Sequence, residues 1–261
     1  MNIIEAIILG AVQGLTEFLP VSSSGHLQIA KALLGVHIDE NITFDVMLHA
    51  ATVLSTVTVM WRELWRLACG VFSRRFNDEQ AYVLKIIVSM IPAGVVGVLF
   101  ADKIETLFSS LPFVGAMLLV TAALLAFAYC AKPRQRDNIS YRDAFIIGLA
   151  QAAATMPGLS RSGSTIATGL LLGNRKEPVA HFSFIMVIPV ILGKMLLDVM
   201  SGEMAAMSVG AAPMAAGFVA AFVTGAAACK FMIEAVKHGK LIWFAIYCAA
   251  AGAVAIIGSL L

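Results

Sequence analysis

"TEFLPVSSSGHL", residues 16–27, cuts into an apolar run that begins near the N-terminus. A continuous membrane-spanning helix has no place for this mixture. Proline removes a backbone donor and clashes with the preceding turn, and ionisable groups at bilayer depth are costly. A second apolar region is cut the same way by "PGLSRSGST", residues 157–165. How the chain passes these two breaks decides the fold.

The surroundings are those of a membrane protein. Of 261 residues, 60% are hydrophobic and 13% charged, with a mean hydropathy of +0.89. Soluble domains carry about 25% charged residues. The net charge of +2 and the lack of a basic stripe interleaved with aromatics offer nucleic acid no surface. Cys69, Cys130, Cys229 and Cys248 form no CxxC or Cys/His cluster and read as free, buried, small hydrophobes. The opening "MNIIEAIILG" has an acid where a signal peptide has its basic region, so it is expected to stay as structure.

Six stretches approach the length of about 20 residues that crosses a bilayer: 44–61, 86–101, 112–130, 180–197, 209–229 and 241–261. The second is short and carries Pro92. The charges orient them. Fourteen of the 18 basic residues fall in four connections, around Arg62–Lys85, Lys132–Arg142, Arg175–Lys176 and Lys230–Lys240. Basic residues accumulate on the cytoplasmic side. If all four connections are cytoplasmic, the chain must enter and leave 144–174 on one side. Two full spans would need about 40 residues, more than that stretch holds. A re-entrant hairpin dipping in from the cytoplasm meets both conditions. By the same parity, residues 2–35 form a hairpin dipping in from outside, with "HIDEN", 37–41, on the outer surface.

The two broken regions also resemble each other. At a constant offset of 138, residues 10–35 and 148–173 coincide at 8 of 26 positions, among them Gln13/Gln151, Ser22/Ser160, Ser24/Ser162 and Gly25/Gly163. An offset near half the chain length implies duplication. The expected fold is an all-α integral membrane protein of two halves, about 1–131 and 139–261, each a hairpin followed by three spans. An odd number of spans inverts one half against the other. Inverted repeats with helices broken at the midplane build polar sites inside membranes, so the two breaks should face each other.

The residues at the breaks suit phosphate chemistry. Serines are preferred N-caps, and a helix N-terminus attracts anions. Arg161 adds a planar guanidinium matched to phosphate oxygens. Gln13 and Glu17, at i and i+4, share a helix face with Ser22–Ser24 and His26 close behind. A carboxylate, hydroxyls and an imidazole supply a nucleophile, a general base or a metal ligand. Serines in membrane helices usually bond the preceding turn, but clustering at both breaks argues for more than that. Asp45 and His49 form another i, i+4 pair that could line the cavity, whereas His181 and Lys194 read as packing or headgroup contacts. Gly10/Gly14 and Gly169/Gly173 have the GxxxG spacing of close helix packing.

"QGLTEFLPVSSSGH", residues 13–26, and "PGLSRSGST" resemble the two signatures of the BacA-type undecaprenyl-diphosphate phosphatases, (E/Q)xxxE followed by PVSSxGH, and PGxSRSxxT. The likeness covers essentially the whole chain. It implies hydrolysis of undecaprenyl diphosphate to the monophosphate and phosphate, recycling the lipid carrier for peptidoglycan and giving bacitracin resistance. The bacterial inner membrane, with the site opening outward, is the implied location. Also implied are a divalent cation, Mg²⁺ or Ca²⁺, held by Glu17 with Gln13 as a second candidate ligand, a prenyl diphosphate lipid as substrate among membrane lipids, and room for a homodimer. The catalytic residues would be Glu17, Ser23, His26 and Arg161, with Ser23 as nucleophile and His26 or Glu17 as base. His26 itself or an activated water stays open as the nucleophile. Gln13, Ser22, Ser24, Ser160, Ser162 and Thr165 would contact the diphosphate. The competing class is a transporter or flippase of an anionic lipid, which would use Arg161 and the serines but needs no hydroxyl beside a carboxylate.

Overall fold

Eleven helices follow one another among the described residues, 1–36, 42–107, 110–131, 136–200 and 209–259 of a computed structural model. The expected outer segment 37–41, with Lys132 and Arg134, lies outside them. The helices are α1 (Ile3–Phe18), α2 (Ser23–Leu34), α3 (Ile42–Val59), α4 (Trp61–Val71), α5 (Asp78–Leu107), α6 (Leu111–Cys130), α7 (Tyr141–Ala153), α8 (Arg161–Leu171), α9 (Lys176–Met200), α10 (Ala211–Lys237) and α11 (Leu241–Gly258). Five of them, α5, α6, α9, α10 and α11, are long and apolar enough to cross a bilayer, and a bent α3–α4 pair makes a sixth. Large apolar side chains such as Ile4, Leu33, Val98, Phe127 and Trp243 lie on the outside, as on a surface facing lipid.

The helices at the breaks are short. α1, α2, α7 and α8 hold 16, 12, 13 and 11 residues, or roughly 17–24 Å at 1.5 Å per residue. None matches the roughly 30 Å hydrocarbon thickness. α1 stops at Phe18, two residues ahead of Pro20, because the residue before a proline is pushed out of the helical region. α7 stops at Ala153, and a turn at 154–160 carries Pro157 and a left-handed Gly158. Ser160 caps α8 by accepting from the Gly163 N–H at 3.2 Å. Ser22 precedes α2 but makes no side-chain capping bond.

Two elements differ from the sequence reading. The span placed at 86–101 is a 30-residue helix running from Asp78 straight through Pro92, since buried neighbours and local adjustment tolerate proline in membrane helices. The basic connection after α3 holds a further helix. α4 turns 83° from α3, buries Leu67 and exposes Trp61, Arg62, Trp65 and Arg66, the composition of a helix lying along an interface.

Packing is close where glycines meet. A Cβ at Gly10 or Gly14 would collide with the α10 backbone at Gly217 and Ala221. Gly148 of α7 sits the same way on Ser89 of α5, and Gly115 of α6 on Gly252 of α11. Gly169 packs on Val179, but Gly173 has φ +89° and makes a turn. The second GxxxG spacing therefore gives a close packing contact at Gly169 and a turn at Gly173. If α1, α3, α5 and α6 are set against α7, α9, α10 and α11, the contacts interchange: α1–α10 answers α7–α5, while α6–α11 and α3–α9 answer themselves.

Candidate active site

The two breaks touch. Ser162 Oγ donates to the Leu19 carbonyl at 3.3 Å, and a Cβ at Gly163 would lie 3.2 Å from Pro20 Cβ. This contact brings the end of α1 to the start of α8 and so sets the carboxylate of Glu17 against the guanidinium of Arg161.

Glu17 is the hub. Its side chain is 6% exposed, and its two oxygens serve different partners. Oε2 accepts from Ser23 Oγ at 2.8 Å and from Gln13 Nε2 at 3.0 Å. Oε1 lies 3.5 Å from Arg161 Nη1. That separation marks an ion pair at long range, and the buried Nη1 makes no hydrogen bond. A guanidinium nitrogen taken from water without an acceptor is poised for an anionic ligand, since leaving a buried donor unmade is expensive.

The backbone aims Ser23. Among the described residues Ser22 is the one non-glycine with positive φ, at +69°. Such a conformation costs about 1–3 kcal/mol and concentrates at functional sites. It closes the turn after Pro20 tightly enough for the first residue of α2 to reach back to Glu17, six positions earlier.

A cavity adjoins this cluster. Its lining is part polar, with Glu17, Arg161, Ser162, Thr165 and Ser183, and part apolar, with Phe18, Phe184, Val187 and Ile191. Thr165 Oγ1 and Ser183 Oγ are 2.6 Å apart. Thr52 and Thr56 of α3 complete the wall. Polar and apolar walls in one cavity suit an amphiphile with an anionic head.

Of the residues singled out from sequence, the structure gathers Gln13, Glu17, Ser23 and Arg161 into one network, with Ser162 and Thr165 on the cavity wall. Ser160 stays at its cap and 3.3 Å from Ser162 Oγ, and Ser22 Oγ lies 3.3 Å from Ser24 Oγ. His26 is not brought to Ser23. Its Nδ1 faces the Ser22 carbonyl at 2.9 Å, its Nε2 meets Tyr247 Oη at 2.6 Å, and its ring stacks on Tyr247. His49 joins the network instead, with Nδ1 3.1 Å from Gln13 Nε2. Its neighbour Asp45 turns away to Lys31, whose ammonium sits at 2.6 Å. His181 pairs with Glu63 of α4 at 2.5 Å. Cys229 and Cys248 are buried, while Cys69 and Cys130 are exposed.

Thr52, Thr56 and Ser183 escaped the sequence reading. A signal was present: Asp45, His49, Thr52 and Thr56 recur at spacings of four, three and four, one polar stripe on an apolar helix.

For a divalent cation the described residues offer no cluster of three His, Cys, Asp or Glu. They do offer the Glu17 carboxylate and a buried Gln13 Oε1 with no hydrogen-bond partner. Hard oxygen donors in that number suit a Mg²⁺-type ion that also takes substrate phosphates and water, not an all-protein cage.

Comparison with known proteins gives the family. The family model described as Bacitracin resistance protein BacA matches residues 6–254. The chain is 60% identical over 265 residues to the undecaprenyl-diphosphatase of Parabacteroides distasonis, with both chains fully covered. It is 58% identical to the protein of that name from Bacteroides thetaiotaomicron, again over all of both chains. A relative of the same name in Methanosphaera stadtmanae is 38% identical, with 98% of each chain covered.

Proposed function

The chain belongs to the BacA family of bacitracin resistance proteins, and we propose that it hydrolyses undecaprenyl diphosphate to undecaprenyl phosphate and inorganic phosphate. This reaction recycles the lipid carrier for peptidoglycan synthesis and confers bacitracin resistance. The observation that carries the proposal is the Ser23 hydroxyl held 2.8 Å from the Glu17 carboxylate, with the Arg161 guanidinium on the other side of that carboxylate.

Ser23 Oγ attacks the terminal phosphorus, and its proton passes to Glu17 Oε2. The bond from that phosphorus to the bridging oxygen breaks, and Glu17 returns the proton to the departing undecaprenyl phosphate. Water then cleaves the phosphoserine: Glu17 takes the water's proton and passes it to Ser23 Oγ as inorganic phosphate leaves. A positioned base contributes about 10²–10⁴-fold. Fixed positive charge at the phosphoryl oxygens supplies more, and Arg161 Nη1 and the α8 N-terminus provide it here. A divalent cation, held by Glu17 and Gln13 with the diphosphate oxygens, would offset further charge on the phosphates. The apolar side chains of the cavity wall take the start of the isoprenoid chain, whose remainder stays in lipid.

The protein sits in the bacterial inner membrane with the site opening outward, a side supported by the basic connections gathered opposite. Its halves form an inverted repeat, which the interchanging helix contacts support. Phosphate release from a long-chain prenyl diphosphate by purified protein tests the activity, run with and without a chelator and for Ser23→Ala, Glu17→Ala and Arg161→Ala. Chelator-sensitive release abolished in each folded variant is the expected result. A folded wild-type protein that binds the lipid but releases no phosphate would overturn the proposal in favour of transport.

A further inference from the structure

The sequence offers Gln13 where a second carboxylate would have stood beside Glu17, and an amide has a problem that a carboxylate does not. Its two ends are opposite in character, so it can turn either a donor or an acceptor toward Glu17. Facing the wrong way, Gln13 Oε1 would confront Glu17 Oε2, oxygen against oxygen, and push the carboxylate out of reach of Ser23. Something must fix the amide. Gln13 is 1% exposed, with no bulk water to do so.

His49 is the candidate the geometry supplies. Gln13 Nε2 lies 3.0 Å from Glu17 Oε2 and 3.1 Å from His49 Nδ1, so one NH₂ group serves two acceptors on two helices. His49 Nδ1 is also 3.7 Å from Glu17 Oε2, too far to replace that donor. An NH₂ facing Nδ1 requires Nδ1 to accept. The other charged group on this face of α3, Asp45, is occupied by Lys31 at 2.6 Å and does not compete for the imidazole. With its NH₂ held between Glu17 and His49, Gln13 keeps Oε1 buried and unpartnered.

We infer that His49 is a positioning residue for the phosphatase reaction proposed above: by accepting from Gln13, it locks the amide with its donors toward Glu17 and thereby holds the carboxylate on Ser23. His49 touches none of the reacting atoms. Its effect passes through Gln13 and Glu17, so it belongs to the chemical step and not to lipid binding, which falls to Arg161 and the cavity wall.

Two substitutions separate this role from simple packing. His49→Leu keeps bulk and removes the acceptor. His49→Asn places an amide oxygen close to the position of Nδ1 and restores it. Outer-shell partners of this kind are worth about 10–100-fold, so His49→Leu should lose that much kcat with KM within about twofold, and His49→Asn should recover to within about fivefold of wild type. An independent readout comes from the amide itself. The chain has five glutamines, so ¹⁵N-glutamine labelling in nanodiscs gives few side-chain NH₂ signals, and Gln13 is the one lost in Gln13→Leu. That signal should move in His49→Leu and stay near its wild-type position in His49→Asn. Unchanged kcat in His49→Leu, or equal losses in both variants, would overturn the inference. An unmoved Gln13 signal in His49→Leu sinks the positioning whatever the activity. A wild-type protein that releases no phosphate, while its Gln13 amide responds as stated, sinks the phosphatase reading and leaves the contact standing.

Discussion

At the scale of single residues, the site gathers around one carboxylate, and the strained backbone at Ser22 is what brings the Ser23 hydroxyl to it. Its φ of +69° is a conformation glycine adopts freely, yet serine occupies it. Ser22→Gly would relieve about 1–3 kcal/mol of strain against about 0.4–1 kcal/mol of added chain entropy. The thermal midpoint in detergent should therefore hold or rise by a few degrees, at roughly 2–4 °C per kcal/mol for a chain of this size. Phosphate release should fall less than in Ser23→Ala, because the Ser23 hydroxyl and its Glu17 partner are retained. A midpoint clearly below wild type would show that the turn carries no strain. Gln13, Glu17, Ser23 and Arg161 were legible from sequence because each lies within a few positions of a break, where polar residues in an apolar chain stand out. His26 was equally conspicuous, but neither of its ring nitrogens faces Ser23, and sequence spacing says nothing about which way a ring turns. Thr52 and Thr56 stayed hidden for another reason. Both bond the carbonyl of a preceding turn, at His49 and Thr52, which is the ordinary use of a hydroxyl in an apolar helix.

Elements were legible to the extent that their boundaries are written locally. The legs of both hairpins could be read from Pro20, Pro157 and the serines after them, since proline and capping act on the residues beside them. α4 could not: its apolar stripe is too short to register as a span, and only its packing against the bundle reveals a helix. The length of α5 was missed at both ends, because the charged flanks 78–85 and 102–107 read as connections although they continue the helix. The same contrast between local rule and tertiary context applies to the glycines. Gly10 and Gly97 both sit inside helices, where glycine costs about 1 kcal/mol relative to alanine. A Cβ at Gly97 would meet nothing within 4 Å, whereas one at Gly10 would strike the Gly217 carbonyl. Gly97→Ala should therefore raise the midpoint of thermal unfolding by a few degrees. Gly10→Ala should lower it and, by separating α1 from α10, reduce phosphate release as well. Equal effects of the two substitutions would mean that the α1–α10 seam does not depend on close approach.

For the whole molecule, the decisive question is whether each broken region returns to its own side, because that determines which way the site opens. The parity of the basic connections requires the chain to leave 144–174 on the side where it entered. The closed base of the α7–α8 hairpin is consistent with this: Arg136 and Asn174 form a bridge, and the Asn174 amide reaches Asp143 at the start of α7. Thiol labelling decides it. Cys69 and Cys130 are exposed and must first become serine. Single cysteines are then placed at Asn138 and Arg175, flanking the hairpin, with Ser73 as the cytoplasmic reference and Val36 as the outer one. In intact cells an impermeant maleimide should label Val36→Cys alone. In inverted vesicles it should label Asn138→Cys, Arg175→Cys and Ser73→Cys together. If 138 and 175 react from opposite sides, α7–α8 spans the membrane, every later connection is inverted, and the bias of basic residues to one face disappears. If they react together but from the outside, the hairpins stand while the site opens toward the cytoplasm. A lipid diphosphate would then have to be cleaved on the inner leaflet.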